Sequence, residues 1–274
     1  MDSFFYKKMN VCKVFKLKEG LGDCIIAASC IQEYARIHNI KPTYITSPGL
    51  LNILNNNPYF NVTDNEKDTE DIALELKWVS QLKENLYGLH TMQRFSYQLG
   101  FFIDPTKVVN LYNENKQIIK NKEVEKTICL NIFSKEYNRR FIPKKYCDLI
   151  FKIANDFGYK IEFIGDCGIY KSTSDIKEIL KKLETTKLFI GPISFCYHLA
   201  ASIETNCLTF FSYMPYWKFS HFSRTIPIYD LRECVSMCEE KEKEMRTKNN
   251  CFHECLATSY NEEEIERKLI KILS

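Results

Sequence analysis

The run Thr127-Ile128-Cys129-Leu130-Asn131-Ile132-Phe133 is almost continuously apolar. A strand with that pattern has both faces buried, which places it in a parallel sheet covered by helices rather than in a half-solvated antiparallel one. The residues after it keep a βα rhythm. Pro143 opens a helix that runs to Phe157 and stops at Gly158, and Lys160–Ile164 is the next strand, ending at Gly165-Asp166. Ser174 caps a helix over Asp175–Leu183. Lys187–Ile190 is a strand ending at Gly191-Pro192, and the helix Tyr197–Ile203 and the strand Cys207–Phe211 follow. The last segment, Asn261–Leu273, is a charged amphipathic helix with Ile265, Leu269, Ile270 and Leu273 inward.

The first part of the chain has the same alternation. Val11–Leu17 reads as a strand and Ile25–His38 as a helix, its stripe made of Ile25, Ile26, Cys30, Ile31, Tyr34 and Ile37. Pro42–Thr46 is a second strand and Gly49–Asn56 a short helix. After a polar, acidic stretch, Gln81–Leu99 reads as a helix stopped by Gly100, with His90, Arg94 and Tyr97 on one face. Asn110–Lys126 is rich in Asn and alternating charge, and is the best boundary between domains. The expectation is an α/β protein with two parallel sheets. Residues 1–115 form one Rossmann-like domain, 116–260 a second, and 261–274 a terminal helix. Ligands of such sheets bind at the carboxyl ends of the strands. That singles out Asp23, the Ser134 loop, Asp166 and the turn Ser194–His198.

Composition narrows the partners. A net charge of +3 over 274 residues is too small for nucleic acid to be the main partner. No run approaches the ~20 apolar residues that span a bilayer, and Met1–Asn10 lacks a secretory signal. The expected location is the cytoplasm, with Lys-rich spots suited to peripheral contact with an anionic membrane surface. Eight of the twelve cysteines lie in apolar or helical stretches and read as small buried hydrophobes.

Gly20-Leu21-Gly22-Asp23 joins the first strand to the first helix. Two glycines allow a tight turn with its N–H groups close to a ligand. Asp23 at or near the helix cap has two readings, a structural cap or a catalytic base aimed from a strand end. The basic residues Arg139, Arg140, Lys144 and Lys145 read either as a solvated face or as a phosphate site. His90 and Arg94, and the aromatic stretch Trp217, Phe219, His221 and Phe222, read as packing.

Three blocks of this chain resemble glycosyltransferase family nine, the heptosyltransferases and their relatives. Gly20-Leu21-Gly22-Asp23 is similar to the family's Gly-x-Gly-Asp turn. Asn131–Pro143 is similar to its strand, hydroxyl loop and basic residue before an aromatic-Pro helix start. Phe189–Ala201 is similar to its strand followed by Asp-Ser/Thr-Gly-x-x-His-Leu-Ala-Ala, with Ile193 standing where the family has Asp and Phe195 where it has Gly. The resemblance implies a GT-B fold, with the acceptor on the first domain and a nucleotide-sugar donor on the second. It implies an inverting, heptosyltransferase-like glycosyltransferase that needs no cofactor. Asp23 would be the general base and Gly20 and Gly22 its turn, with Ser134, Lys135, Arg139, Arg140, Ser194 and His198 around the donor phosphates. The acceptor would be a glycan, a lipid-linked glycan or a protein hydroxyl. The competing readings are a nucleotide-sugar epimerase on the same fold and a non-catalytic binding protein with a degenerate donor loop.

Cys234-x-x-x-Cys238 and Cys251-x-x-x-Cys255 form a separate cluster, with a spacing of four that puts each pair on one face of a helical turn. The cluster is also a softer match to the paired cysteines of many relatives. A structural role is expected, as a four-thiolate metal site or as reduced or disulfide-linked pairs.

Overall fold

The structure, a computed structural model, describes residues 11–18, 20–69, 71–77, 89–105, 125–134, 140–212, 216–221, 223–229 and 260–274. It divides into two compact units, Met1–Asp104 and Pro105–Ser274.

The first unit is a parallel sheet in the order β3-β2-β1-β4. Its strands are β1 (Val14–Lys16), β2 (Thr43–Ile45), β3 (Asn61–Thr63) and β4 (Leu74–Glu75). Between β1 and β2 runs α1 (Leu21–His38), and between β2 and β3 runs α2 (Pro48–Leu54). Helix α1 starts four residues earlier than its apolar stripe suggests, because Gly20 turns the chain at φ 69° into the helix. It is buried almost all round. Cys24 to Tyr34 pack inward on several faces, and α3 (Thr91–Gln98) lies against it, with Cys30 Sγ donating to the Met92 carbonyl at 3.5 Å. Ile37 is the exception in the expected stripe, at 52% exposure. Tyr44 OH donates to the Cys24 carbonyl at 3.1 Å, tying β2 to the first turn of α1.

Within the reading of one helix over Gln81–Leu99, residues 81–88 lie outside the described residues, and the described helix α3 starts only after His90. His90 is extended, with ψ 148°, and is the N-cap. Its Nδ1 accepts from the Met92 N–H, and the Gln93 side chain accepts from the His90 N–H. This reciprocal pairing satisfies two donors that a helix start leaves open. The expected common face of His90, Arg94 and Tyr97 is split accordingly. His90 and Arg94 are buried, while Tyr97 is exposed against Phe102.

The second unit is a five-stranded parallel sheet, β6-β5-β7-β8-β9. It is built from β5 (Glu125–Leu130), α4 (Lys144–Asp156), β6 (Lys160–Phe163), α5 (Ile176–Thr185), β7 (Thr186–Pro192), α6 (Phe195–Ser202), β8 (Cys207–Phe211), α7 (Tyr216–Phe219), β9 (Thr225–Tyr229) and α8 (Glu262–Leu273). Ile128, Leu130, Leu188, Ile190, Leu208 and Ile228 are fully buried between helical layers, as the apolar run predicts. Asp175, not Ser174, caps α5, its carboxylate accepting from the Glu178 N–H at 2.9 Å. Pro143 is the residue before α4 rather than its first. Helix α8 buries Ile265, Leu269 and Leu273 in the same core as α4, and Ile270 stands outside at 40% exposure. Tyr146 of α4 fixes the entry of α8. Its hydroxyl donates to the Tyr260 carbonyl at 2.9 Å and accepts from the Tyr260 N–H at 2.7 Å. No helix among the described residues is long and apolar enough to cross a membrane.

Candidate active site

In the first unit, Asp23 is the third residue of α1 and Gly20 is its cap, so Asp23 does not itself occupy the cap position. Its carboxylate folds back over Gly20. A Cβ on Gly20 would push the Asp23 carboxylate out of this position, and the positive φ there favours glycine. The carboxylate thus lies over the cap residue of α1, in the connection after β1. Close by, Ser47 Oγ donates to the Lys18 carbonyl at 2.8 Å and Lys18 Nζ donates to the Asp64 carbonyl at 2.8 Å. These bonds tie the turn before Gly20 to the ends of β2 and β3.

In the second unit the candidates converge on the carboxyl edge of the sheet. Ser134 is buried, and its N–H donates to the Arg140 carbonyl at 3.0 Å. An antiparallel bridge between Phe133 and Phe141 closes the same loop, with the two rings stacked at 6.2 Å. Arg140 is therefore brought back next to Ser134 through its backbone. Lys135 and Arg139 lie outside the described residues. Lys144 and Lys145 are spent on the helix surface, pairing with Asp148 at 2.7 Å and Glu262 at 3.1 Å. Those two lysines follow the solvated-face reading.

Ser194 is the N-cap of α6. Its Oγ accepts from the Tyr197 N–H at 3.3 Å and donates to Asn131 Oδ1 at 2.9 Å. Ile193 is buried, and Phe195 is half-buried in the first position of the helix. His198, on the next turn, is buried, and its Nδ1 lies 3.2 Å from His221 Nε2. Two facing ring nitrogens at that distance share one proton. His221 is thus part of the His198 environment rather than simple packing. Its backbone N–H donates to Tyr197 OH at 2.9 Å, which holds it there. Asp166, at the end of β6, turns its own loop by accepting from the Gly168 N–H at 3.0 Å, and its carbonyl accepts from the Phe133 N–H.

Two participants were not singled out in the sequence, Asn131 and the His198–His221 pairing. Asn131 is the one amide in an otherwise apolar strand run, and that break in the pattern is the signal that points to it. Nothing in the spacing of His198 and His221 does so.

Burial holds the thiols here in their neutral form. It pushes Cys196 up to about 12 and Cys167 up to about 11, so neither is a nucleophile near neutral pH. Among the described residues, no group of three or more His, Cys, Asp or Glu side chains could hold a metal ion. Cys234, Cys238, Cys251 and Cys255 lie outside them.

No protein-family model and no curated protein matches the chain. Solved structures do. The iron-containing dodecameric glycosyltransferase TibC of enterotoxigenic E. coli is similar with a TM-score of 0.72 at 13% identity, covering 95% of this chain and 76% of that one. TibC, described as a heptosyltransferase, is also known in complex with ADP-D-β-D-heptose, at a TM-score of 0.71. A glycosyl transferase of family 9 from Veillonella parvula gives a TM-score of 0.66 at 13% identity, covering 97% of this chain and 98% of that one. The E. coli ADP-heptose LPS heptosyltransferase II gives 0.59 at 10% identity, covering 88% and 100%. The chain has the fold of the glycosyltransferase family nine heptosyltransferases, the family its Gly20–Asp23 and Phe189–Ala201 blocks resemble.

Proposed function

We propose that the chain is an inverting glycosyltransferase that moves a sugar from a nucleotide-diphosphate donor onto the hydroxyl of a glycan, a lipid-linked glycan or a protein. The observation that carries this reading is the fold, shared over almost the whole chain with heptosyltransferases, one of them described in complex with ADP-heptose. In a single displacement, Asp23 takes the proton of the acceptor hydroxyl as its oxygen bonds to the anomeric carbon. The anomeric C–O bond to the β-phosphate breaks, and its electron pair leaves with the nucleoside diphosphate. Arg140, Ser134 and the N-terminal N–H groups of α6 meet the charge that develops on that diphosphate. Arg140 supplies a guanidinium fork suited to phosphate oxygens.

The test is nucleotide release from a panel of nucleotide sugars, ADP-sugars included, with acceptor extracts present. Asp23→Asn preserves shape and removes the base, so turnover falls by about 10²–10⁴-fold while nucleotide binding persists. Full turnover in that variant removes Asp23 from the chemistry. An epimerised free donor, read by NMR of the sugar, replaces the transferase reading with the epimerase one. For the four-cysteine cluster we propose a structural metal, because four thiolates suit zinc or iron. It takes no part in the displacement.

A further inference from the structure

Asn131 stands directly after β5 and is 1% exposed. Its amide nitrogen shares its two hydrogens among the carbonyls of Phe133 at 3.0 Å, Ile164 at 3.2 Å and Asp166 at 3.1 Å, while its amide oxygen accepts from Ser194 Oγ at 2.9 Å. These partners belong to the connections after β5, β6 and β7. One side chain therefore fastens three neighbouring loops at the carboxyl edge of the sheet.

The surroundings are shaped to admit it. Gly165 has φ 66°, and a Cβ there would lie 2.8 Å from Asn131 Nδ2 and 2.9 Å from Cys196 Sγ. The carboxamide occupies the space that a side chain at Gly165 would need. Asp has the same outline, but its carboxylate brings no hydrogens to three carbonyl oxygens and would be a buried, uncompensated charge. A donor at one end and an acceptor at the other is what the position demands.

The Ser194 hydroxyl follows from this. Its one hydrogen is committed to Asn131 and its oxygen accepts from Tyr197, so it cannot donate to a phosphate while it holds the loops. We propose that Asn131 is a positioning residue for donor binding. It sets the distance between the paired Ser134 and Arg140 backbone and the N-terminus of α6, and Ser194 acts through this linkage rather than as a phosphate donor. The inference rests on the assignment of those two elements to the donor diphosphate.

The experiment is a double-mutant cycle, Asn131→Ala and Ser194→Ala, with dissociation constants for ADP, UDP and GDP measured by calorimetry on protein checked for native circular dichroism. Loss of the linkage weakens the best-bound nucleotide about tenfold in either single variant, from the net worth of one to two hydrogen bonds. The double variant weakens it by little more than either alone, because both remove the same linkage. Additive losses, or unchanged affinity in folded Asn131→Ala, overturn the proposal. If Asn131→Ala does not fold, Ser194→Ala against Ser194→Thr decides, since Thr retains the hydroxyl. Thr then restores the affinity that Ala loses, and wild-type affinity in Ser194→Ala overturns the linkage. A wild-type protein that binds none of the three nucleotides, nor any sugar conjugate of them, overturns the functional reading itself, and this inference falls with it.

Discussion

Raising the pH should unfold this protein through its cysteines before its tyrosines or lysines are called on. Burial pushes Cys129, Cys147 and Cys196 up to about 12 and Cys167 to about 11, from an ordinary value of 9.0, and raises Cys30 and Cys207 further still. A group whose folded value is raised contributes its full stability below the unfolded value and loses it as pH climbs towards the folded one. The window here opens near pH 9 and runs to about 12. One unit above the unfolded value, each thiol costs the folded state about 1.4 kcal/mol. Six such thiols cost about 8 kcal/mol, of the order of a domain's whole stability. Five of the six lie in the second unit, so that unit bears most of the loss. The assay is urea unfolding under reducing conditions at half-unit steps from pH 7.5 to 10. Cys129→Ala lowers stability at neutral pH and flattens the alkaline slope by about one proton, 1.4 kcal/mol per pH unit. A free energy that stays level to pH 10, or a slope that Cys129→Ala leaves untouched, refutes the reasoning.

Other perturbations have simpler outcomes. Gly165→Ala forces a side chain into a left-handed backbone and against Asn131, and should cost about 2–4 kcal/mol in chemical denaturation. Tyr146→Phe removes the two hydrogen bonds to the Tyr260 backbone, costing about 1–3 kcal/mol and opening the junction before α8 to faster amide exchange. Asn261→Ala removes the cap that accepts from the Glu264 N–H at 3.1 Å and should cost about 1 kcal/mol, read as a lower thermal midpoint. Elemental analysis of the purified protein should find a zinc or iron content that falls when Cys234 and Cys238 are both changed to Ser.

The sequence spoke most clearly where both faces of an element are buried. The run from Thr127 and the strand Cys207–Phe211 needed no tertiary information, because a strand between two helical layers must be apolar throughout. Strand β9 was missed because Pro227 interrupts it. Among the described residues it is the outermost strand of its sheet, the place where a proline that lacks the ladder donor is tolerated. The start of α3 was hidden because its cap is His90, outside the usual Ser, Thr, Asp and Asn set, and the helical period alone does not stop at it. In α8, Ile270 shares the apolar stripe by spacing, yet the surface that receives the helix is narrower than the stripe. The strand ends that carry Asp23, Ser134 and the Ser194–His198 turn were legible because the βα rhythm locates them, and Arg140 was singled out by the family resemblance alone. Asn131 and His221 were not legible, since what they do depends on partners 63 and 23 residues away.

The docking of α8 also sets an order of events for the second unit. Tyr146 and Tyr260 are 114 residues apart, and the core that starts with β5 is complete only when Ile265, Leu269 and Leu273 arrive. Closing a loop of that length costs about 4 kcal/mol of chain entropy beyond the constant term, which slows the step that seals the sheet. A ribosome-bound chain therefore carries an unfinished hydrophobic face until its last described helix has emerged. A single protease cut between β9 and α8 would leave that helix held without a covalent link, through its packing, the Tyr146 bonds to Tyr260, the Lys145–Glu262 pair and the Lys268 bond to the Pro227 carbonyl, and its retention would then depend on protein concentration.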